Sequence, residues 1–281
     1  MSSILCVHFL ASLLIIHLGH LYVFSEADPI IGAKVYSTKK KYNSVVVVVE
    51  KSIELQSYEH LCTGSLISKT QVLTAASCME NKELNNLRVF PGGRSTTLYR
   101  HGSFEILSKV TYKDYEEECF RNGICKFKQI DDICILKLDA REVVLKPTHI
   151  SYEESFPTFG DQVSLIGWGP TRHTKAPLVA HYSELQILQR PDCNARAETF
   201  APMYRKYTWP NKVFCAQKSP PVKVIDGDFG GPALYGNKLV GIAIRPRPLG
   251  EEAIIMDAQP VLILRLSSYK DFIEKYLDSE V

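Results

Sequence analysis

The chain has 281 residues, 45% of them hydrophobic, and a formal net charge of +2 at pH 7. That length supplies enough core for one two-lobed domain or two small ones. The near-neutral charge gives no electrostatic reason for a nucleic acid or another polyanion as partner.

Residues 4 to 24 are almost entirely apolar and run into Ser25-Glu26-Ala27, whose small residues suit signal-peptidase cleavage after Ala27. Residues 1–27 are therefore expected to form a signal peptide, which implies a secreted, extracellular protein with no membrane contact after cleavage. Met1-Ser2-Ser3 carries no basic side chain, and the apolar stretch is long enough to span a bilayer, so an uncleaved anchor is the alternative. Asp28-Pro29 then stands as a short propeptide-like dipeptide before a mature domain of residues 30–281. No Asn-x-Ser/Thr sequon occurs, so N-glycosylation is not expected. Lys39-Lys40-Lys41 reads as a solvated loop.

Val45 through Val49 is a β-branched run with strong strand preference. Short apolar segments broken by Gly, Pro and polar turns follow, the pattern of an all-β barrel protein. Cys119 and Cys125 share one short loop and are expected to pair locally. In the segment after Asp132, positions 134, 136 and 138 fall on one face of a strand. Cys134 then lines up with Leu136 and Leu138 as a buried, inert thiol, with an intermolecular bridge as the lesser alternative. The one convincing helix is the last element. Ser268 opens an S-x-x-D capping pattern, and Tyr269, Phe272, Ile273, Tyr276 and Leu277 recur at helical spacing.

Gly227-Asp228-Phe229-Gly230-Gly231-Pro232 resembles the GDSGGP signature of trypsin/chymotrypsin-like serine proteases, the peptidase S1 family, in which the third residue is the nucleophile. A benzyl side chain has no lone pair to attack a carbonyl. Leu73-Thr74-Ala75-Ala76-Ser77-Cys78 is similar to the family's TAAHC motif, with Ser77 where the catalytic histidine stands; a serine hydroxyl is no general base near neutral pH. Asp131-Asp132-Ile133-Cys134-Ile135-Leu136-Lys137-Leu138 resembles the DIALLKL strand, with Asp132 at the catalytic aspartate. His60-Leu61-Cys62-Thr63-Gly64-Ser65-Leu66-Ile67 is similar to HFCGGSLI with Thr63 for a glycine, and Gly167-Trp168-Gly169 matches GWG.

The resemblance covers Ile30 to the C-terminus and implies two six-stranded antiparallel β-barrels, about 30–150 and 151–281, closed by a C-terminal α-helix. It implies disulfides Cys62–Cys78 and Cys193–Cys215, while Cys119–Cys125 has no clear family counterpart. It places an oxyanion hole at the amides of Gly227 and Phe229. It also places a specificity pocket at Lys223, Ile244, Arg245, Pro246 and Val261. Each departs from the family: Lys223 replaces an acidic floor, Pro246 has no N–H for a substrate strand, and Val261 intrudes where a glycine forms the wall. Ile30-Ile31-Gly32-Ala33 resembles the IVGG start whose freed amine pairs with the aspartate before the nucleophile, here Asp228. Pro91-Gly92-Gly93-Arg94 lacks the carboxylates of the family's calcium loop, so no metal and no cofactor are expected.

The implied function is a secreted non-catalytic homologue, acting as cofactor, decoy or adaptor toward an active protease, an inhibitor or a receptor in an extracellular cascade, in immunity or venom. Its rivals are a toxin whose surface alone acts and a hydrolase using substitute groups, for which His60, His101, His149, His173 and His181 are the available bases.

Overall fold

The computed structural model describes residues 34–35, 44–52, 57–91, 102–112, 131–139, 146–170, 180–193, 211–219, 221–245 and 260–277. A short strand β1 (Lys34–Val35) precedes β2 (Val45–Ser52), β3 (Ser57–Leu66), β4 (Gln71–Thr74), β5 (Leu87–Pro91), β6 (Phe104–Thr111) and β7 (Cys134–Leu138). Strands β2 to β7 close into an antiparallel barrel in the order β2-β3-β4-β7-β6-β5. After β8 (His149–Ile150) come β9 (Gln162–Gly167), β10 (His181–Ile187), β11 (Val213–Gln217), β12 (Pro232–Tyr235), β13 (Lys238–Ala243) and β14 (Val261–Arg265). These last six close the second barrel, because β10 pairs with both β9 and β11 and β12 returns to β9. β1 extends this sheet beside β10, and β8 lies parallel to β13.

Burial explains the strand patterns. All five valines of β2 are buried, with Val46 and Val48 in one apolar cluster and Val45, Val47 and Val49 in the other. Both faces of β2 are thus covered, so its sequence reads as a continuous apolar run where a half-exposed strand would alternate. Removing each valine from water stabilises the fold by roughly 1.5–3 kcal/mol. β7 and the residue before it divide as the register requires, Cys134, Leu136 and Leu138 on one cluster and Ile133 and Ile135 on the other. Burial pushes the Cys134 thiol up to about 12, so it stays protonated and unreactive.

The C-terminal helix differs from its sequence reading at the start. Leu266–Tyr269 forms a 3-10 turn that buries Leu266 and Tyr269, and the α-helix proper is Lys270–Tyr276. Tyr269 is its N-cap and no side chain caps it, so the Ser268 capping pattern is not used. Packing fixes the position instead. The Tyr269 hydroxyl donates to Asp131 Oδ1 at 2.5 Å, and Lys212 Nζ reaches the same oxygen at 2.8 Å. Lys212 also lies 5.2 Å from the ring centroids of Tyr112 and Tyr269. This cluster joins second barrel, helix and first barrel at the residue next to Asp132.

Two disulfides form among the described cysteines, Cys62–Cys78 with Cα atoms 6.1 Å apart and Cys193–Cys215 at 5.8 Å. Each contributes about 3 kcal/mol by the loop-entropy argument. The expected Cys119–Cys125 bridge and the leader segment lie outside the described residues.

Candidate functional site

The site lies where the barrels meet, and each barrel supplies half. On the first-barrel side, β4 ends at Thr74 and the chain turns through the 3-10 segment Ala76–Met79, held to β3 by Cys62–Cys78. That turn presents Ser77 to Asp132. The Ser77 amide donates to Asp132 Oδ1 at 2.6 Å and its hydroxyl to Oδ2 at 2.8 Å. Asp132 is only 4% exposed. A carboxylate so buried needs donors to remain charged, and Ser77 supplies two from a single residue.

On the second-barrel side, residues 225–231 form a tight loop: the Asp228 amide donates to the Ile225 carbonyl and the Gly231 amide to the Asp228 carbonyl. Gly230 sits at φ +77°, and a Cβ there would lie 2.2 Å from Thr74 Oγ1 and 2.4 Å from the Thr63 carbonyl oxygen. Only glycine lets the loop press this closely on the first barrel. Phe229 is 1% exposed and packs in the cluster that contains Val224, Ala243 and Val261. The Arg245 guanidinium stands 5.1 Å from the centroid of its ring and pairs with the Asp226 carboxylate. The position where the family resemblance puts a nucleophile is therefore core, with a cation over the ring.

Thr63 stitches the halves together. Its hydroxyl donates to the Gly227 carbonyl at 2.7 Å and accepts from the Trp168 amide at 3.0 Å, while its amide donates to the Phe229 carbonyl at 3.0 Å. The backbone that carries the amides of Gly227 and Phe229 is thereby pinned to β3. In the sequence Thr63 stands out only as a glycine replacement; its partners lie more than a hundred residues away, so no local signal announces the bridge.

Asp228 is fully buried and receives the Gly169 amide at 2.7 Å and the Ile225 amide at 3.2 Å. A Cβ on Gly167 would lie 2.1 Å from its carboxylate and one on Gly169 2.4 Å, so glycines enclose it. Among the described residues no cation faces it. Desolvation dominates and pushes its pKa up to about 7, with the neighbouring Asp226 charge adding to the rise and the two amide donors opposing it.

Of the remaining expected residues, Val261 belongs to the same buried cluster as Phe229, and Lys223 is part-exposed on the segment leading to the loop. Ile244 does not line this space: its amide bonds to the Leu262 carbonyl and its side chain joins the opposite cluster. Strand alternation puts Ala243 on the Phe229 side and Ile244 on the other. His60 Nδ1 donates to the Trp168 carbonyl oxygen at 3.1 Å, with burial lowering its pKa; His181 is buried in β10 and His149 is exposed in β8. Ile30, Pro246, His101 and His173 lie outside the described residues. Among the described residues no three potential ligands gather as a metal site.

A family model described as Trypsin matches residues 32–273. A trypsin of Sarcophaga bullata is 26% identical over 212 residues, 70% of this chain and 77% of that protein. Snake venom serine protease 2 of Protobothrops jerdonii is 27% identical over 278 residues, 95% of this chain and 94% of its own length. Among solved structures, the scabies mite inactivated protease paralogue S-I1 superposes with a TM-score of 0.64 at 21% identity, covering 86% of this chain and 97% of that one.

Proposed function

The chain belongs to the trypsin family of peptidase S1 domains, and we propose that it is a secreted, non-catalytic member that works by binding proteins, as a cofactor, decoy or regulator in an extracellular proteolytic cascade. The observation that carries this reading is the side chain at the nucleophile position. Phe229 has no hydroxyl, and it is buried in the core, so no small shift brings a reactive group to its place. The base is absent as well. Ser77 stands in its position with both donors committed to Asp132. In an analogous protease triad, losing nucleophile or base alone costs about 10⁶ in turnover.

Secretion is supported by the apolar leader ending at Ala27 and by the two disulfides, which persist in oxidising compartments. The test is active-site labelling. Purified protein exposed to a fluorophosphonate should incorporate none and should cleave no peptide substrate; stoichiometric labelling at any serine would overturn the reading. The double variant Ser77→His/Phe229→Ser should regain little peptidase activity, because Lys223 and Val261 still oppose a substrate side chain. Efficient cleavage of small peptides by that variant would show the pocket to be intact.

A further inference from the structure

A cavity of about 600 Å³ opens on the second barrel away from the triad positions, floored by the Cys193–Cys215 bridge and walled by β11, Arg190 and Arg265. Arg265 is half-buried there. Its guanidinium donates to the Phe156 carbonyl at 3.1 Å and to the Pro157 carbonyl at 3.5 Å, and it lies 5.0 Å over the Phe214 ring. All of these partners are neutral. Burial and the nearby positive charge of Arg190 both lower its pKa, and the Glu154 carboxylate on the cavity wall opposes them; among the described residues Arg265 forms no ion pair. At the cavity sits Phe159, 59% exposed. An exposed aromatic ring lining the same cavity as two guanidinium groups and a single carboxylate makes a surface suited to an anionic ligand with an apolar neighbour.

The geometry points to this cavity as the docking site for an acidic segment of a protein partner, with a carboxylate received by Arg265 and Arg190 and an adjacent apolar side chain laid on Phe159. Guanidinium groups recognise carboxylates through paired N–H donors, and the ring supplies the apolar contact a sulfated glycan would not use. The site is independent of the triad, so labelling at the catalytic positions neither supports nor removes it.

The test is fluorescence anisotropy on the full chain with a labelled peptide of Glu-Phe-Asp-Gly repeats, beside its Gln-Phe-Asn-Gly isostere. Saturable binding of the acidic peptide is expected, at least about tenfold tighter than the isostere and weakened by salt. Arg265→Gln and Arg190→Gln should each cost about tenfold and Phe159→Ser a few-fold. Because Arg265 also holds the 156–157 carbonyls, Arg190→Gln and Phe159→Ser carry the test alone if Arg265→Gln fails to fold. Equal affinity for the isostere, no saturable binding, or affinity unchanged in those two variants would overturn the proposal. So would tight binding of heparin with none of the peptide, which would assign a glycan site instead.

Discussion

The two halves of the site differ in physically opposite ways from what the family resemblance implies. On the first barrel a polar position stays polar: Ser77 gives Asp132 two hydrogen bonds, and the carboxylate remains satisfied. On the second barrel the position that the resemblance gives to the nucleophile is core: Phe229 lies in the buried cluster that also holds Val224, Ala243 and Val261. The difference follows from what each side chain leaves behind. Asp132 is retained, and a buried carboxylate without donors costs more than any hydrogen bond returns. Position 229 leaves no buried charge in need of donors, so an apolar side chain there gains burial energy.

The largest effect expected from this contrast is at Phe229. Phe229→Ser removes most of a buried aromatic side chain and leaves a hydroxyl in apolar surroundings, so it should cost about 3–5 kcal/mol of stability. Urea denaturation of the variant against the parent measures it. A loss below about 1 kcal/mol would mean the ring is not part of the core.

Next comes Asp228, the charged neighbour of that plug. Its folded pKa of about 7 lies above the ordinary 3.8. Between those values the native state holds a proton that the unfolded chain releases, so the contribution of Asp228 to stability is greatest below about pH 4 and falls as pH rises to 7. The fall should amount to a few kcal/mol, at about 1.4 per unit. Asp228→Asn should flatten the profile, whatever its absolute stability. A chain beginning at Ile30, whose freed amine the family resemblance pairs with Asp228, should lose the slope that a chain beginning at Asp28 retains. Identical profiles for the two would show that no such pair forms.

Ser77→Ala tests the polar half. It removes the hydroxyl donor and leaves the amide, so the expected cost is about 1–3 kcal/mol. Ser77→Thr should restore most of it. No loss in the alanine variant would mean that other donors suffice for Asp132.

Much of this was legible from residues close together in the chain. The valine run of β2 and the alternation of Cys134, Leu136 and Leu138 depend on neighbours two residues apart, and the strands follow them. The motif flanks single out Ser77, Asp132 and Phe229, and the structure sets Ser77 against Asp132 with the Phe229 carbonyl beside Cys78. Long-range partnerships were not legible. Thr63 bonds across 164 residues to Gly227, Arg245 clamps Asp226 over Phe229, and Arg190 approaches Arg265; nothing near these residues in the sequence specifies a partner. The helix start was misread for the same reason. The contact of Tyr269 with Asp131 outweighs the local capping preference of Ser268.

The smallest effect should come from Arg245, and it decides whether the exposed clamp or the buried ring keeps a ligand from position 229. Its side chain is 41% exposed and that of Asp226 68%, so their ion pair is well screened and contributes about 0–1 kcal/mol. Its cation–π contact with Phe229 adds roughly 0.5–1 kcal/mol at such exposure. Arg245→Ala should therefore leave stability within about 1 kcal/mol of the parent. It should also leave position 229 closed to a ligand, because Phe229 itself is buried there, in one cluster with Val261. A neutral aromatic probe such as phenol, which the charge of Lys223 does not repel, reports on this by NMR titration. Neither parent nor Arg245→Ala should bind phenol at the site, whereas Phe229→Ser should acquire binding if the variant stays folded. Phenol binding to Arg245→Ala alone would make the exposed clamp the barrier, and the apolar plug would then be ordinary core packing.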